Sequence, residues 1–198
     1  MKFFEITGHS CRDAYLALLF KGVFGEKPRY RDEDFINYVG YQTTKFFGGR
    51  ASLFGVFDEE VGEHPLSLAV VNYGLDGPES RLRALYTPAK YRNQGGASFL
   101  VNSLAQELQL LVAISEKGLK AFYESCGFNK WERSIDKSGD LIGMHKNVKQ
   151  RNMNKASAYP IFSAPQLVRE IKGDLAYYQQ AYKNYYDSVK RGEAIYGI

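Results

Sequence analysis

Little in this sequence would place it outside the ordinary globular proteins. It has two cysteines, Cys11 and Cys126, far apart and outside any CxxC pattern. That excludes a disulfide framework and reads as two free thiols in a reducing cytosol. The three histidines, His9, His64 and His145, are scattered, so no metal-ligand spacing arises and no metal is expected. No stretch approaches the ~18 uninterrupted apolar residues of a membrane-spanning helix. The N-terminal MKFFEITGHS carries an acid at position 5 and no apolar core, which excludes a secretory signal. Neither sign of charge dominates: 26 basic residues against 22 acidic ones give a net charge of +4, too slight an excess to name a nucleic-acid partner. The chain reads as a soluble, cytoplasmic protein that does not engage a membrane.

What is present is enough for one domain with a proper core and an appendage: 198 residues, 44% hydrophobic and 24% charged. FFEIT reads as a first strand. Ser10, with Asp13 three residues on, is a capping signature opening the helix DAYLALLF, and a shorter helix follows over Asp32 to Tyr38. ASLFGVFDE and LSLAVVNYG are strands, separated by the turn EEVGEHP, and RLRALYT (Arg81 to Thr87) is the next. Ala97, Leu100, Val101, Leu104 and Leu108 share one helical face. LLVAIS is then a buried strand, KGLKAFYESCG a short helix, and FNKWERS with LIGMHKN a hairpin. The order β-α-α-β-β-β-α-β-α-β-β predicts an α/β fold around one mixed sheet, spanning residues 1–147.

After that the character changes. Residues 148–162 read as a basic linker without apolar periodicity, and no acid occurs between Asp140 and Glu170. Ser163 with Gln166 predicts the start of a long C-terminal helix over 163–198. Val168, Ile171, Leu175, Tyr178, Tyr182, Tyr185 and Val189 form a heptad stripe along it. Such a seam must be covered, by the chain's own domain or by a second copy.

The segment YRNQGGAS (Tyr91 to Ser98) lies between a strand and a helix. A turn of small residues there aims free N–H groups outward at the positive end of the helix dipole, a setting for an anion and above all a pyrophosphate. No GK[ST] follows, which excludes a P-loop, and the adjacent Gly95 and Gly96 do not make G-x-G-x-x-G. The pattern present is Arg92-x-x-Gly95-x-Ala97. It is followed at the right remove by AFYESCGF (Ala121 to Phe128) and preceded by ALYTPAKYRNQGG. Together these resemble the coenzyme A loop and the F-Y-x-x-x-G-F phrase of the GNAT superfamily of N-acetyltransferases.

The resemblance implies a mostly antiparallel central sheet splayed between its fourth and fifth strands and flanked by helices. It implies acetyl-coenzyme A as cosubstrate, with the backbone of Arg92, Asn93, Gln94, Gly95, Gly96 and Ala97 cradling the pyrophosphate. The backbone of Leu85, Tyr86 and Thr87 would bond the pantetheine as an added strand would. Tyr123 occupies the family's general-acid position, and packing beside Phe122 is its plain alternative. A base must take a proton from the acceptor amine; Glu79, Glu116, His64 and His145 are the candidates. Glu116 stands where many relatives have asparagine, and it reads equally as a first-turn helix acid. Cys126 reads as a packing residue rather than a nucleophile.

The acceptor is a primary amine of a small molecule, a protein or a nucleic acid, and the sequence does not choose among them. A protein that keeps the fold and the coenzyme but not the chemistry, serving as a binding module for protein or nucleic acid, is the other reading. The C-terminal helix is expected as a homodimer contact or a lid beside the substrate groove.

Overall fold

The computed structural model describes residues 1–26, 33–60, 62–73, 79–114, 118–134, 140–149, 169 and 172–198. Seven strands form one sheet: β1 (Lys2–Glu5), β2 (Ala51–Asp58), β3 (Gly62–Tyr73), β4 (Glu79–Tyr86), β5 (Gln109–Ile114), β6 (Phe128–Arg133) and β7 (Leu141–His145). They lie in the order β1-β2-β3-β4-β5-β7-β6. Every pairing is antiparallel except β4 with β5. A parallel pair needs a crossover, and α3 (Gly96–Glu107) supplies it. The remaining helices are α1 (His9–Phe24), α2 (Glu33–Gly48), α4 (Leu119–Ser125) and α5 (Leu175–Tyr196).

Helices cover both faces of the sheet, and β2 and β3 therefore read as continuous buried runs rather than alternating ones. On one face Leu53, Leu68, Val70 and Ala84 pack with α1, α2 and α5. On the other, Phe54, Ala69, Val71, Leu82 and Val112 pack with α3 and α4. Leu82 and Ala84 ought to share a face, since side chains alternate along a strand. They do not, because the register against β3 shifts at this point: Leu82 lies opposite Val71 and Ala84 opposite Val70. Arg83 is the extra residue of a β-bulge, and it turns the rest of β4 over.

The fold agrees with the sequence reading, and three details differ. The shorter helix expected over Asp32 to Tyr38 runs on to Gly48, because Phe35, Ile36, Val39 and Tyr41 continue its buried side and packing outweighs the weak propensity of Gly40 and Thr43. Thr43 returns its hydroxyl to the Val39 carbonyl at 2.9 Å, so no polar group is left over. At the start of α1, Gly8 occupies the cap position and the helix opens at His9. Asp13, read as a cap partner, instead accepts bonds from Tyr38, Gln42, Ser188 and Arg191, which pins α1 to α2 and α5.

The third detail concerns the C-terminal helix. The expected start at Ser163 lies outside the described residues. The described helix α5 opens at Asp174, whose carboxylate accepts from the Tyr177 N–H at 2.9 Å, an N-cap that the dipole favours. From Tyr178 to Val189 its stripe is covered by the same chain, while Leu175 is exposed and Val168 and Ile171 lie outside the described residues. Tyr178 meets Phe35 edge to face at 5.3 Å, and Tyr185 meets Tyr38 at 4.8 Å. Gly192 lets the helices cross closely, since a Cβ there would stand 2.6 Å from the Ala14 carbonyl oxygen.

Candidate active site

β4 and β5 part company partway along. They pair from Glu79 opposite Gln109 as far as Leu82 opposite Val112. Beyond that β4 keeps β3 as far as Tyr86 opposite Leu68, while β5 keeps only β7, on its other edge, as far as Ile114 opposite Leu141. From Arg83 onward, the edge of β4 that faces β5 has no strand beside it. Backbone N–H and C=O groups that lack a ladder are open to an extended ligand, and Leu85, Tyr86 and Thr87 lie along that stretch. The bulge sends their side chains to alternate faces, Leu85 toward α3 and α4 and Tyr86 toward α1. The Tyr86 ring lies so close over α1 that a Cβ on Gly22 would come within 2.1 Å of it. The Thr87 hydroxyl is bonded to that of Ser67 at 2.7 Å.

The chain then makes a 3-10 turn over Ala89–Tyr91, capped at Pro88, and enters the loop. Asn93 takes a left-handed φ of 63° and Gly95 one of 79°, conformations that Asn and Gly tolerate best. Gly95 is the N-cap residue of α3 and its own carbonyl accepts from Phe99. Among the described residues no carbonyl accepts from the N–H groups of residues 93–97. Residues Arg92 to Gly95 are exposed, and Gly96 beneath them is buried, where a Cβ would stand 3.1 Å from both Leu66 and Ser67. The result is a row of free donors at the positive end of a 12-residue helix. Arg92 points its guanidinium Nε at the Thr87 carbonyl, 3.3 Å away, and Gln94 bonds the Lys90 carbonyl at 3.1 Å. Both side chains thus brace the loop, leaving its backbone outward.

Tyr123 is buried on α4, its ring edge-on to Phe128 at 5.4 Å and to Phe122 at 5.0 Å. Burial drives its phenol well above the ordinary tyrosine range, and Cys126 nearby adds to the effect. It is therefore a neutral O–H across neutral pH, the form a proton donor needs. Burial likewise raises the thiol of Cys126, eased by Ser125 and Ser98, so this cysteine is not an activated nucleophile.

The base candidates fare differently. Glu116 lies outside the described residues. Glu79 begins β4 opposite Gln109, at the end of the sheet away from the parting. His145 sits at that far end too, one residue past the Met144–Leu111 pair. Its Nδ1 is held by Asn147 Oδ1 at 2.7 Å, and the ring lines a cavity of about 690 Å³ with Asn102, Glu124 and Cys126. His64 stands just before β3 enters the site region, but its Nδ1 is 3.1 Å from the Tyr15 hydroxyl. Of the described candidates, Glu79 and His145 stand away from the end of β4, and His64 stands nearer to it, its ring 5.7 Å from that of Tyr196.

What does stand at the end of β4 is a group of charges around the Tyr86 ring: Arg92 of the loop motif and, marked by no motif, Lys21 and Glu193. Hydrogen bonds from Lys190 and Lys21 hold the Glu193 carboxyl below its ordinary range, while Glu193 raises Lys21. Glu193 comes from α5, 172 residues from its partner, and no local pattern announces it. Among the described residues no three potential ligands meet to hold a metal, and no helix is long and apolar enough to cross a membrane.

No protein-family model and no curated protein matches the sequence. Solved structures do match. The chain is similar to an acetyltransferase of the GNAT family from Desulfovibrio desulfuricans, with a TM-score of 0.53 and 12% identity over 72% of this chain and 95% of that one. It is similar to the ribosomal-protein alanine N-acetyltransferase of Escherichia coli, at 0.51 and 17%, over 76% and 96% of the two chains. A variant of the spermidine N-acetyltransferase of Vibrio cholerae matches at 0.51 and 13%, over 72% and 91%. At such identities the likeness is one of fold, and the chain has the fold of the GNAT acetyltransferases.

Proposed function

We propose that this chain, built on the GNAT acetyltransferase fold, transfers an acetyl group from acetyl-coenzyme A to a primary amine. One observation carries the reading. The unpaired edge of β4 leads through a braced turn into free N–H donors at the start of α3, so a site for an extended amide chain continues into a site for a diphosphate. Pantetheine and pyrophosphate have that order of chemistry. The free N–H groups of Asn93 to Ala97 bind the diphosphate, the expected donor at Arg92 being bonded to the Ala89 carbonyl, and the backbone of Leu85 to Thr87 orients the thioester.

In the reaction the amine nitrogen forms a bond to the acetyl carbon, the carbon–sulfur bond breaks, and coenzyme A leaves as a thiolate. An amine with a pKa of about 10.4 is almost wholly protonated at pH 7, so a base must take its proton. Glu116 is kept as the candidate. Tyr123 gives a proton to the thiolate, a role suited to a phenol that burial keeps neutral.

Released thiol titrated during incubation with acetyl-coenzyme A and a panel of amines tests this reading. Turnover on any amine supports it. Tight coenzyme binding with no turnover on any amine would favour a binding module instead, and a protein that does not retain the coenzyme has neither function.

A further inference from the structure

The last turn of α5 reaches the coenzyme loop from the far end of the sequence. Tyr196 is 2% exposed and touches both supports of the loop. Its hydroxyl donates to the Pro65 carbonyl at 2.7 Å, two residues before Ser67, on which Gly96 rests and to which Thr87 is bonded. Its ring lies 6.4 Å from Tyr91, the last residue of the turn that delivers Arg92. Tyr15 and His64 pack on the same ring at 5.6 and 5.7 Å. Its main-chain carbonyl accepts a bond from the ammonium of Lys90, in the middle of that turn.

Lys90 does more than tie the two ends. Its ammonium stands 4.9 Å from the centre of the Tyr91 ring and 5.9 Å from that of Tyr196, within reach of both ring faces. The carboxyl end of a helix carries partial negative charge and would oppose an anion bound nearby. A lysine on its terminal carbonyl covers that charge and leaves the loop's donors facing out.

We infer that Tyr196, with Lys90, is a positioning residue for the coenzyme loop: the final turn of α5 holds the Ala89–Tyr91 turn and the Pro65–Ser67 segment in the relation that aims the N–H groups of residues 93–97. The inference rests on the function proposed above for what binds there, and the contacts it uses exist without the ligand.

Two measurements on the full-length chain test it. In coenzyme-free protein, exchange of the Tyr91 and Arg92 amides, which bond to the Pro88 and Ala89 carbonyls, should be at least tenfold faster in Tyr196→Leu than in wild type, with β2 unchanged. In the assay of acetyl transfer, Tyr196→Leu and Lys90→Met should raise KM for acetyl-coenzyme A about tenfold and about threefold, with kcat at saturating coenzyme within twofold. Tyr196→Phe, which keeps the ring and loses only the bond to Pro65, should recover most of the loss. Exchange that rises everywhere alike, or does not rise at the loop, overturns the inference, as does an unchanged KM in both variants. Lys90→Met keeps the test open should Tyr196→Leu not fold, because Lys90 is an exposed side chain. Loop-confined exchange in a protein that does not bind the coenzyme would uphold the positioning and sink only the proposed function.

Discussion

The two faces of the sheet are made of different material. Toward α3 and α4 the buried residues are largely aliphatic: Leu100, Val101, Leu104, Leu110, Val112 and Ile114. Toward α1, α2 and α5 aliphatic side chains such as Leu16, Leu19 and Leu68 are interleaved with buried rings: Tyr15, Phe20, Phe35, Tyr38, Tyr41, Tyr185 and Tyr196. Aliphatic packing is indifferent to pH and to direction. A buried tyrosine is neither, since its hydroxyl needs a partner and its neutral form is the one that burial tolerates. The first face carries the loop by which a diphosphate would be recognised, and the second carries the surroundings that hold this loop in place.

Alkali should separate the two faces, and this is the largest expected effect. Burial raises Tyr15, to about 12, and raises Tyr38, Tyr41, Tyr185 and Tyr196 as well. Only Tyr123 on the other face is shifted comparably. A group whose folded pKa is raised contributes its full stability below the unfolded pKa of about 10 and loses it as pH climbs toward the folded value. Each such tyrosine then costs about 1.4 kcal/mol per pH unit, and several together should unfold the chain above pH 10. Tyrosinate absorbance should accordingly rise in two phases, exposed rings first and the buried set with loss of circular dichroism. A single smooth titration near pH 10 would mean the rings are not held as described.

Next in size, Tyr123→Phe should lower kcat by about 100-fold or more while leaving coenzyme affinity unchanged, the loss of one general acid. Steady-state kinetics with the best amine of the panel reads it; an unchanged kcat removes the role. Smaller again, Gly192→Ala should destabilise the fold by about 1–3 kcal/mol, an overpacking cost, because its Cβ meets a backbone oxygen of α1 that cannot swing aside. Urea unfolding measures it, and a neutral result would show that α5 does not cross α1 so closely. Smallest, Arg92→Ala should weaken coenzyme binding only about threefold to tenfold, the worth of one hydrogen bond. Its contact is a brace on Thr87, and the backbone donors remain. Calorimetric titration with coenzyme A reads the change, and a hundredfold loss would make the side chain itself the ligand.

Much of the aliphatic face was legible in the sequence. A loop that offers its backbone to an anion needs small residues in fixed order before a helix, and Arg92 to Ala97 state that need within six positions. The mixed, mostly antiparallel sheet parting between its fourth and fifth strands followed from the element order and the resemblance. The aromatic face was legible only in part. The stripe of Tyr178, Tyr182 and Tyr185 showed that something must cover it, but a heptad pattern does not say whether the cover is the same chain. Phe35 and Tyr38 answer that only once the chain is folded. The Lys90–Tyr196 and Tyr196–Pro65 bonds span 106 and 131 residues, and no local spacing encodes a contact at that distance. Asp13 misled for a related reason: a carboxylate three residues past a serine has the spacing of a cap, and its actual partners come from two other helices.

The extra residue at Arg83 has a consequence for how such a sheet can vary. It works as a shift of phase in a two-beat pattern: upstream, odd and even positions of β4 belong to one pair of faces, and downstream they trade places. Deleting it would carry Leu85 into the company of the rings and Tyr86 into the aliphatic side, exchanging the environments of the residues that border the opening. Lengthening or shortening β4 by two would leave that assignment intact. Along this strand, parity rather than length determines which side chains join the rings and which join the aliphatic side.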